Sequence, residues 1–367
     1  MLRKPFSTRI DSLRRSLKQQ GLESLLVTNV VNVTYLTGFG GDSSYLLVTP
    51  KKVILISDSR FETQLREECP GLECEIRDAQ TTTLALTCKC IQKLRCGEVG
   101  IESDTLTKSG FDEVARSLPA VLLRDTHGLV EQLRAIKDRE EQEKIRRSIR
   151  VNERAFEVLR AKLEGSMSER QIAFDLEHQM RAFGATQAAF KPIIAGGPRS
   201  ALPHAIPSDH LVNESPFLLV DWGALVDGYA SDLTRVLITG KAPAKYRKIY
   251  EVVLEAQQRA IAAIRPGVTL KEVDREARGF IESAGYGKYF GHGLGHGFGL
   301  QVHEIPFISP IREGVLQPGM IVTVEPGIYL PDFGGVRIED NVLVTAEGHE
   351  VLSQLPKAFE EVQVDLS

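Results

Sequence analysis

Short apolar runs separated by turn residues mark the first third of the chain. Leu25–Thr28, Tyr45–Thr49 and Val53–Ser57 are apolar and β-branched, and a glycine-rich turn at Gly38–Gly41 lies between the first two. Runs of this kind, bounded by Gly, Pro and Asn, predict strands. Arg9–Gln19 before them and Phe61–Glu68 after them carry polar faces at helical spacing, as helices that cover a sheet do. Residues 1 to about 125 therefore read as a small α/β domain. From Leu129 the pattern changes to a long charged stretch, Glu131–Lys162, in which Ile145, Ile149, Asn152, Phe156 and Leu159 recur at helical spacing. This change places a boundary at about residues 125–130 and divides the chain into domains 1–126 and 127–367.

The second domain repeats itself. At an offset of 101 residues, Ser168 matches Thr269, Gln171 matches Glu272, Ile172 matches Val273, Leu176 matches Ala277, Met180 matches Ile281 and Gly184 matches Gly285. Each copy predicts one helix. It opens with a capping box, continues with one apolar stripe, and stops at a glycine able to take the left-handed conformation. The segment after each helix also repeats: Pro203-His204-Ala205-Ile206-Pro207 in the first copy and Val302-His303-Glu304-Ile305-Pro306 in the second. Next comes a hairpin with a carboxylate in each arm. In copy one these are Asp221 in Leu218–Trp222 and Asp232 in Tyr229–Thr239, joined by a turn near Asp227-Gly228. In copy two they are Glu325 in Ile321–Glu325 and Glu339 in Val336–Thr345, joined by a turn through Pro331–Gly334. Folding back at these turns puts the acids of each pair near opposite positions, within about 5.5 Å on one face.

Four acids inside apolar strands change the reading from architecture to chemistry. Facing one another, they would repel or stay protonated unless cations held them, and about two divalent ions would neutralise all four. A further donor lies in Gly291-His292-Gly293-Leu294-Gly295-His296-Gly297-Phe298-Gly299. So many glycines argue against a helix there and for a loop or bulged strand that lets a substrate or metal approach. His296, with His292 and His303, is a candidate for ligand or catalytic duty. Oxygen ligands with one imidazole suit Mn, Co, Fe or Zn, and a pair of such ions is a recurring hydrolytic device.

Composition adds exclusions. Of the 367 residues, 42% are hydrophobic and 26% charged, which fits a globular chain rather than a disordered or disulfide-scaffold one. A net charge of −4, from 45 basic and 49 acidic residues, gives no reason to expect nucleic acid as a partner. No apolar run is long enough to predict a membrane span, and Met-Leu-Arg-Lys-Pro-Phe lacks the apolar core of a secretory signal, so a soluble cytoplasmic protein is expected. Cys69, Cys74, Cys88, Cys90 and Cys96 are odd in number and lie without a nearby histidine, which predicts reduced structural thiols.

At these residues the chain resembles the metallopeptidase family that includes methionine aminopeptidase, prolidase (Xaa-Pro dipeptidase), aminopeptidase P and creatinase. The stretches that carry the resemblance are Asp221 with Gly228-Tyr229-Ala230-Ser231-Asp232-Leu233-Thr234-Arg235, the His292–His303 segment, Thr323-Val324-Glu325-Pro326-Gly327, and Gly335-Val336-Arg337-Ile338-Glu339-Asp340. The resemblance covers the whole chain. It implies an α/β N-terminal domain before an α+β "pita-bread" catalytic domain with an internal pseudo-two-fold repeat. It implies two divalent metal ions (Mn, Co, Zn or Fe) held by Asp221, Asp232, His296, Glu325 and Glu339, with Asp232 and Glu339 bridging. His204 and His303 match histidines that surround the substrate and stabilise the transition state, and His292 matches a third nearby. Glu325 matches an acid assigned to proton transfer, Arg337 an arginine that supports the site, and Thr234 and Thr323 are expected to orient ligands.

The implied reaction is hydrolysis between an N-terminal residue and proline, so the expected partner is a peptide with proline in second position, with a homodimer as the assembly. Methionine aminopeptidases resemble only the catalytic half, which favours Xaa-Pro specificity over theirs. Creatinase lacks the metal set, whereas all five ligand positions are present here, which disfavours a non-catalytic peptide-binding module. One departure stands out: several prolidases carry an arginine four positions after the residue matching His303, where it grips a dipeptide's carboxylate, and this chain has Phe307. That substitution leaves room for longer peptides.

Overall fold

A computed structural model of the chain describes residues 4–366, and the fold divides into two compact units at Arg134/Ala135. The first unit is a mixed six-stranded sheet with helices packed on it. Its elements are α1 (Phe6–Gln19), β1 (Leu25–Val27), α2 (Val30–Thr37), β2 (Tyr45–Val48), β3 (Val53–Asp58), α3 (Glu62–Glu68), β4 (Glu73–Arg77), α4 (Thr83–Lys93), β5 (Glu98–Glu102), α5 (Lys108–Ser117) and β6 (Leu122–Thr126). The strand order is β4-β3-β2-β1-β5-β6. Leu26, Leu47, Ile54, Ile56, Val99 and Ile101 form its core with Ile91, Cys88 and Cys90 of α4. All five cysteines are free thiols, and burial pushes Cys88 and Cys90 above the usual thiol range, so both are held in the unreactive form. One element lies between the predicted runs and goes against its residues' own preference. Val30–Thr37 is a helix, although Val30, Val31, Val33, Thr34 and Tyr35 favour strand, because Asn29 caps its start through the Val31 N–H and Gly38 ends it at φ +81°.

The short α6 (Leu129–Ala135) ends at the boundary; in the second unit α7 (Arg139–Ala161) follows, and Ile145, Ile149, Asn152, Phe156 and Leu159 form its buried stripe. α8 (Glu169–Ala182) begins at a Ser168/Gln171 capping box and gives way to Gly184 at φ +108°. The second copy repeats this plan. α9 (Ala244–Ala263) precedes α10 (Leu270–Ser283), which begins at a Thr269/Glu272 capping box and gives way to Gly285 at φ +87°. In both copies the Ser or Thr hydroxyl takes a first-turn N–H, and the Gln or Glu reaches back to the cap residue's own N–H.

The helices cover antiparallel strands. β7 (Gln187–Ala188), β8 (Ile193–Gly196), β9 (Phe217–Trp222), β10 (Ala224–Val226), β11 (Tyr229–Ala230) and β12 (Leu233–Ile238) belong to the first copy. The second contains β13 (Gly295–Gly297), β14 (Glu304–Ile308), β15 (Ile321–Val324), β16 (Gly327–Leu330), β17 (Gly334–Arg337), β18 (Asp340–Val344) and β19 (His349–Val351). In the first hairpin the turn residues Asp227 and Gly228 both take positive φ, as a tight two-residue connection requires. Among the described residues no helix is long and apolar enough to cross a membrane.

Both hairpins break their strands at the acids. β11 and β12 are separated by Ser231 and Asp232, β15 and β16 by Glu325 and Pro326, and β17 and β18 by Ile338 and Glu339. At the first break the cause is steric. Asp232 lies across from Gly223, where a Cβ would come within 2.2 Å of the Ser231 carbonyl oxygen, so the chains approach more closely there than a ladder of side-chain-bearing residues permits.

Candidate metal centre

The two hairpins deliver their acids to one buried place. In the first, Asp221 pairs with Thr234, so Asp232 is its diagonal neighbour, two residues earlier on the facing arm. In the second, Val324 pairs with Asp340 and Gly327 with Arg337, and this shared register sets Glu325 opposite Glu339. One carboxylate oxygen from each of Asp221, Asp232 and Glu339 lies within 4.8 Å of the others. His296 completes the set from β13, whose register shifts between His296 and Gly297. With Nδ1 donating to the Gly297 carbonyl at 3.1 Å, its Nε2 faces Glu325 Oε1 at 3.2 Å and Asp232 Oδ2 at 3.6 Å.

Three of the acids are tethered on one side. The Arg337 guanidinium donates to Asp221 Oδ2 at 2.5 Å and the Thr234 hydroxyl to Glu339 Oε2 at 2.7 Å. The Thr323 hydroxyl donates to Glu325 Oε1 at 3.1 Å and accepts the His296 backbone N–H. The other oxygens of the first two, Asp221 Oδ1 and Glu339 Oε1, are buried with no hydrogen-bond partner among the described residues. Oxygens left bare in a buried site cost free energy unless a cation meets them, and hard oxygens with one imidazole are a donor set for divalent metal. The residues present fit such a group.

The electrostatics are those of an acidic cluster waiting for a cation. Burial, then the charge of Glu339 and Asp221, pushes Asp232 well above the usual carboxylate range. Burial, then Glu325 and Asp221, does the same to Glu339. Burial also raises Asp221, against the pull of Arg337. Glu325 behaves differently. Burial would raise it, but the hydrogen bond and charge of His296 outweigh that and bring it down to about 2. The same contact raises His296 despite its burial. Without metal, His296 is therefore drawn toward its protonated form by Glu325, its nearest acid.

The remaining predicted residues ring this centre. The His303 ring lies 4.4 Å from that of His296 on the exposed side, and burial followed by the charge of His296 lowers it. His204 is exposed, on the loop after β8, close enough for its charge to act on His303. His292 is near enough for its charge and that of Glu325 to act on each other, but its hydrogen bonds go elsewhere. Its Nδ1 donates to the Gly293 carbonyl at 2.7 Å, and its Nε2 accepts from the Tyr329 hydroxyl at 3.0 Å. Arg337 is an organiser: besides Asp221 it reaches Tyr329 at 2.8 Å, the Thr234 hydroxyl at 3.1 Å and the Pro203 carbonyl beside His204 at 3.4 Å. Phe307 pairs with His296 across the ladder, so its side chain stands on the same face. Sequence reasoning missed Tyr329, the link between His292 and Arg337. Its only signal is its place in the second hairpin, between the acids.

Comparison with known proteins gives matches along the whole chain. Residues 143–346 match the model of metallopeptidase family M24, and residues 9–136 match that of the creatinase/prolidase N-terminal domain. A Xaa-Pro dipeptidase of Pyrococcus furiosus is 36% identical, over 94% of this chain and 97% of that protein. Among solved structures, a Xaa-Pro dipeptidase from Bacillus anthracis superposes with a TM-score of 0.93 at 36% identity, covering 98% of this chain and all of the other. An X-Pro aminopeptidase from Thermotoga maritima gives 0.85 at 36% identity, over 94% and 99%.

Proposed function

This chain belongs to metallopeptidase family M24, with a creatinase/prolidase N-terminal domain, and from that premise we propose that it hydrolyses the peptide bond between an N-terminal residue and proline. The observation that carries the reading is the buried centre in which Asp221 and Glu339 each turn one tethered and one bare oxygen. Asp221, Asp232, His296, Glu325 and Glu339 would hold two divalent ions there, with Mn, Co, Zn and Fe all suited to such donors. Bound, such ions supply Lewis acidity toward a water and the scissile carbonyl.

The chain's own residues do the positioning and the proton handling. Thr234, Thr323 and Arg337 hold the outer oxygens so that the inner ones stay aimed. His303, whose pKa is lowered by partial desolvation and by the charge of His296, and His204 stand at the open side, where an imidazole N–H donates to a substrate oxygen as its charge grows. Glu325, the one acid of the four that is not fully buried, is placed to carry a proton toward the proline nitrogen. His292, Tyr329 and Arg337 brace this arrangement from behind.

The named relatives share the Xaa-Pro bond and differ in chain length. In this chain Phe307, 37% exposed beside His296, presents an apolar wall past which a longer peptide can run. The test compares an Xaa-Pro dipeptide with an Xaa-Pro-Yaa tripeptide under added Mn, Co or Zn. Tripeptide cleavage at a comparable or higher rate is expected. A strong dipeptide preference would overturn the open-ended reading and point to Arg312, whose guanidinium lies 5.6 Å from the Phe307 ring centroid, as a cation for the free carboxylate. A protein that binds no metal and cleaves neither would be a binding module instead.

A further inference from the structure

His204 stands on irregular chain between the 3-10 turn Gly197–Ala201, which follows β8, and the helical turn Val212–Glu214. Ala205 is buried, but Leu202 and Ile206, on either side of His204, are 54% and 82% exposed, so hydrogen bonds rather than apolar packing hold much of this loop. One buried group gathers both of its ends. Glu169, the first residue of α8, is 1% exposed. At the near end its carboxylate accepts the Gly196 N–H at 2.8 Å and the Arg199 Nε–H at 3.0 and 3.1 Å. At the far end it accepts the Ser208 N–H at 2.9 Å and the Ser208 hydroxyl at 2.7 Å. Arg199 then spans the gap, donating from Nη2 to the Ile206 carbonyl at 2.7 Å. The first two N–H groups of α8, which have no partner within a helix, go to the same loop: Glu169 N–H to His210 O and Arg170 N–H to Ser208 O, both at 3.0 Å.

We propose that Glu169, acting through Arg199 and Ser208, is the positioning residue for His204; the inference rests on the reading of His204 as a substrate-facing histidine. The chemistry of the clamp explains why it is a carboxylate. Every group that meets Glu169 is a donor, so an acceptor-only side chain satisfies them all at once. An amide in its place would turn an NH2 toward an N–H or guanidinium, leave buried donors unpaired, and let one end of the loop go. Beyond the clamp, the loop is tied to the centre by the weak Arg337 bond to Pro203 O and by the Gly335 N–H bond to the Ser200 hydroxyl, both before His204. On the far side the Glu169 carboxylate is the side chain that holds Ser208, beside the backbone bonds from the start of α8 to Ser208 O and His210 O.

The test is a double-substitution cycle on the full chain loaded with metal. Glu169→Gln should lower kcat/KM for an Xaa-Pro peptide by about 10- to 100-fold, the usual result of misplacing a group at a reacting centre. In a His204→Ala background the same substitution should change the rate by less than about twofold, because its route of action is gone. Equal losses in both backgrounds, or no loss in the single variant, would overturn the proposal. Amide hydrogen exchange supplies the readout without activity: Glu169→Gln should speed exchange over residues 197–207 and leave β9 and β12 unchanged. Exchange that is unaltered, or faster throughout, would also overturn it. Should Glu169→Gln fail to fold, Arg199→Lys and Ser208→Ala remove single strands of the clamp and should give the same pattern at about three- to tenfold. If the wild-type chain cleaves no Xaa-Pro peptide, the functional reading falls, and the clamp is judged on exchange alone.

Discussion

The two halves of the catalytic unit start from one plan and solve it differently. The first supplies two aspartates on diagonal positions of its hairpin, the second two glutamates directly opposite each other with a histidine on the neighbouring strand. More telling is what tethers them. Asp221, from the first half, is held by Arg337 of the second, and Glu339, from the second, by Thr234 of the first. The backbones meet at the same point, where the Glu339 N–H donates to the Thr234 carbonyl and Asn341 reaches the Asp232 carbonyl. Only Glu325 is held within its own half, by Thr323 and His296. The centre therefore belongs to the pairing of the halves. A similar exchange of roles appears in the loops. In the first half a buried carboxylate, Glu169, gathers backbone N–H groups around His204. In the second, the guanidinium of Arg278, paired with Asp274, gathers the carbonyls of Phe290 and His292 at 2.9 and 2.7 Å. Polarity is reversed because one loop turns its donors, and the other its acceptors, toward its helix.

The comparison breaks most completely at Glu339, where both halves meet. Glu339→Ala removes one acid from the centre and the acceptor of Thr234. We expect loss of at least one metal ion per chain by elemental analysis and a fall in Xaa-Pro hydrolysis of at least about 10³-fold. Full activity with full metal content would mean that the centre lies elsewhere.

How much of this is legible in the sequence depends on the range of the interactions. The repeat is legible because capping boxes and glycine stops are local: Ser168 with Gln171 and Thr269 with Glu272 announce the same helix twice. The apolar runs around Asp221, Asp232, Glu325 and Glu339 likewise mark their hairpins, though not that the strands break at Asp232, Glu325 and Glu339. The helix Val30–Thr37 is hidden by its β-branched residues, whose preference Asn29 and Gly38 override at the ends. Glu169, Arg278 and Tyr329 are hidden for another reason. An acid in a first turn resembles an ordinary helix-dipole complement, and partners such as Ser208, 39 residues away, show only once the chain is folded.

Protons sharpen the comparison next, because Glu325, the acid held within its own half, differs from the acids that meet across the halves. Asp232 and Glu339 are raised well above the ordinary carboxylate range by burial and by the charge of neighbouring acids, while Glu325 is lowered to about 2, chiefly by the hydrogen bond and charge of His296. His296 is itself raised. Asp232, Glu339 and His296 thus favour their protonated forms in the metal-free protein, and metal must displace those protons, so affinity falls as pH falls. The expected size is about tenfold per pH unit for each proton released. Titration calorimetry in two buffers of different ionisation enthalpy should report a net release of about one or more protons per chain at neutral pH. No release would mean that the acids are already ionised and that tethering by Arg337, Thr234 and Thr323 suffices to hold them so.

The smallest expected effect bears most directly on reciprocal anchoring. Thr234 and Thr323 occupy matching posts, each giving its hydroxyl to an acid, but Thr234 reaches across the halves and Thr323 stays within its own. Thr234 holds Glu339 at 2.7 Å and accepts from Arg337 at 3.1 Å, so one hydroxyl links the tethers of both Glu339 and Asp221. Thr323 holds Glu325 at 3.1 Å, and His296 contacts the same oxygen. Valine keeps the shape of threonine and removes only the hydroxyl. Thr234→Val should weaken metal binding by about 10- to 100-fold and Thr323→Val by about tenfold or less, measured as dissociation constants for one divalent ion. Because Thr234 and Arg337 act on Asp221 and Glu339 together, combining Thr234→Val with Arg337→Lys should cost less than the product of the two single losses, whereas Thr323→Val with Arg337→Lys should multiply. Equal single effects with independent losses in both pairs would show that each half anchors its own acids and that the cross-half contacts add nothing to the centre.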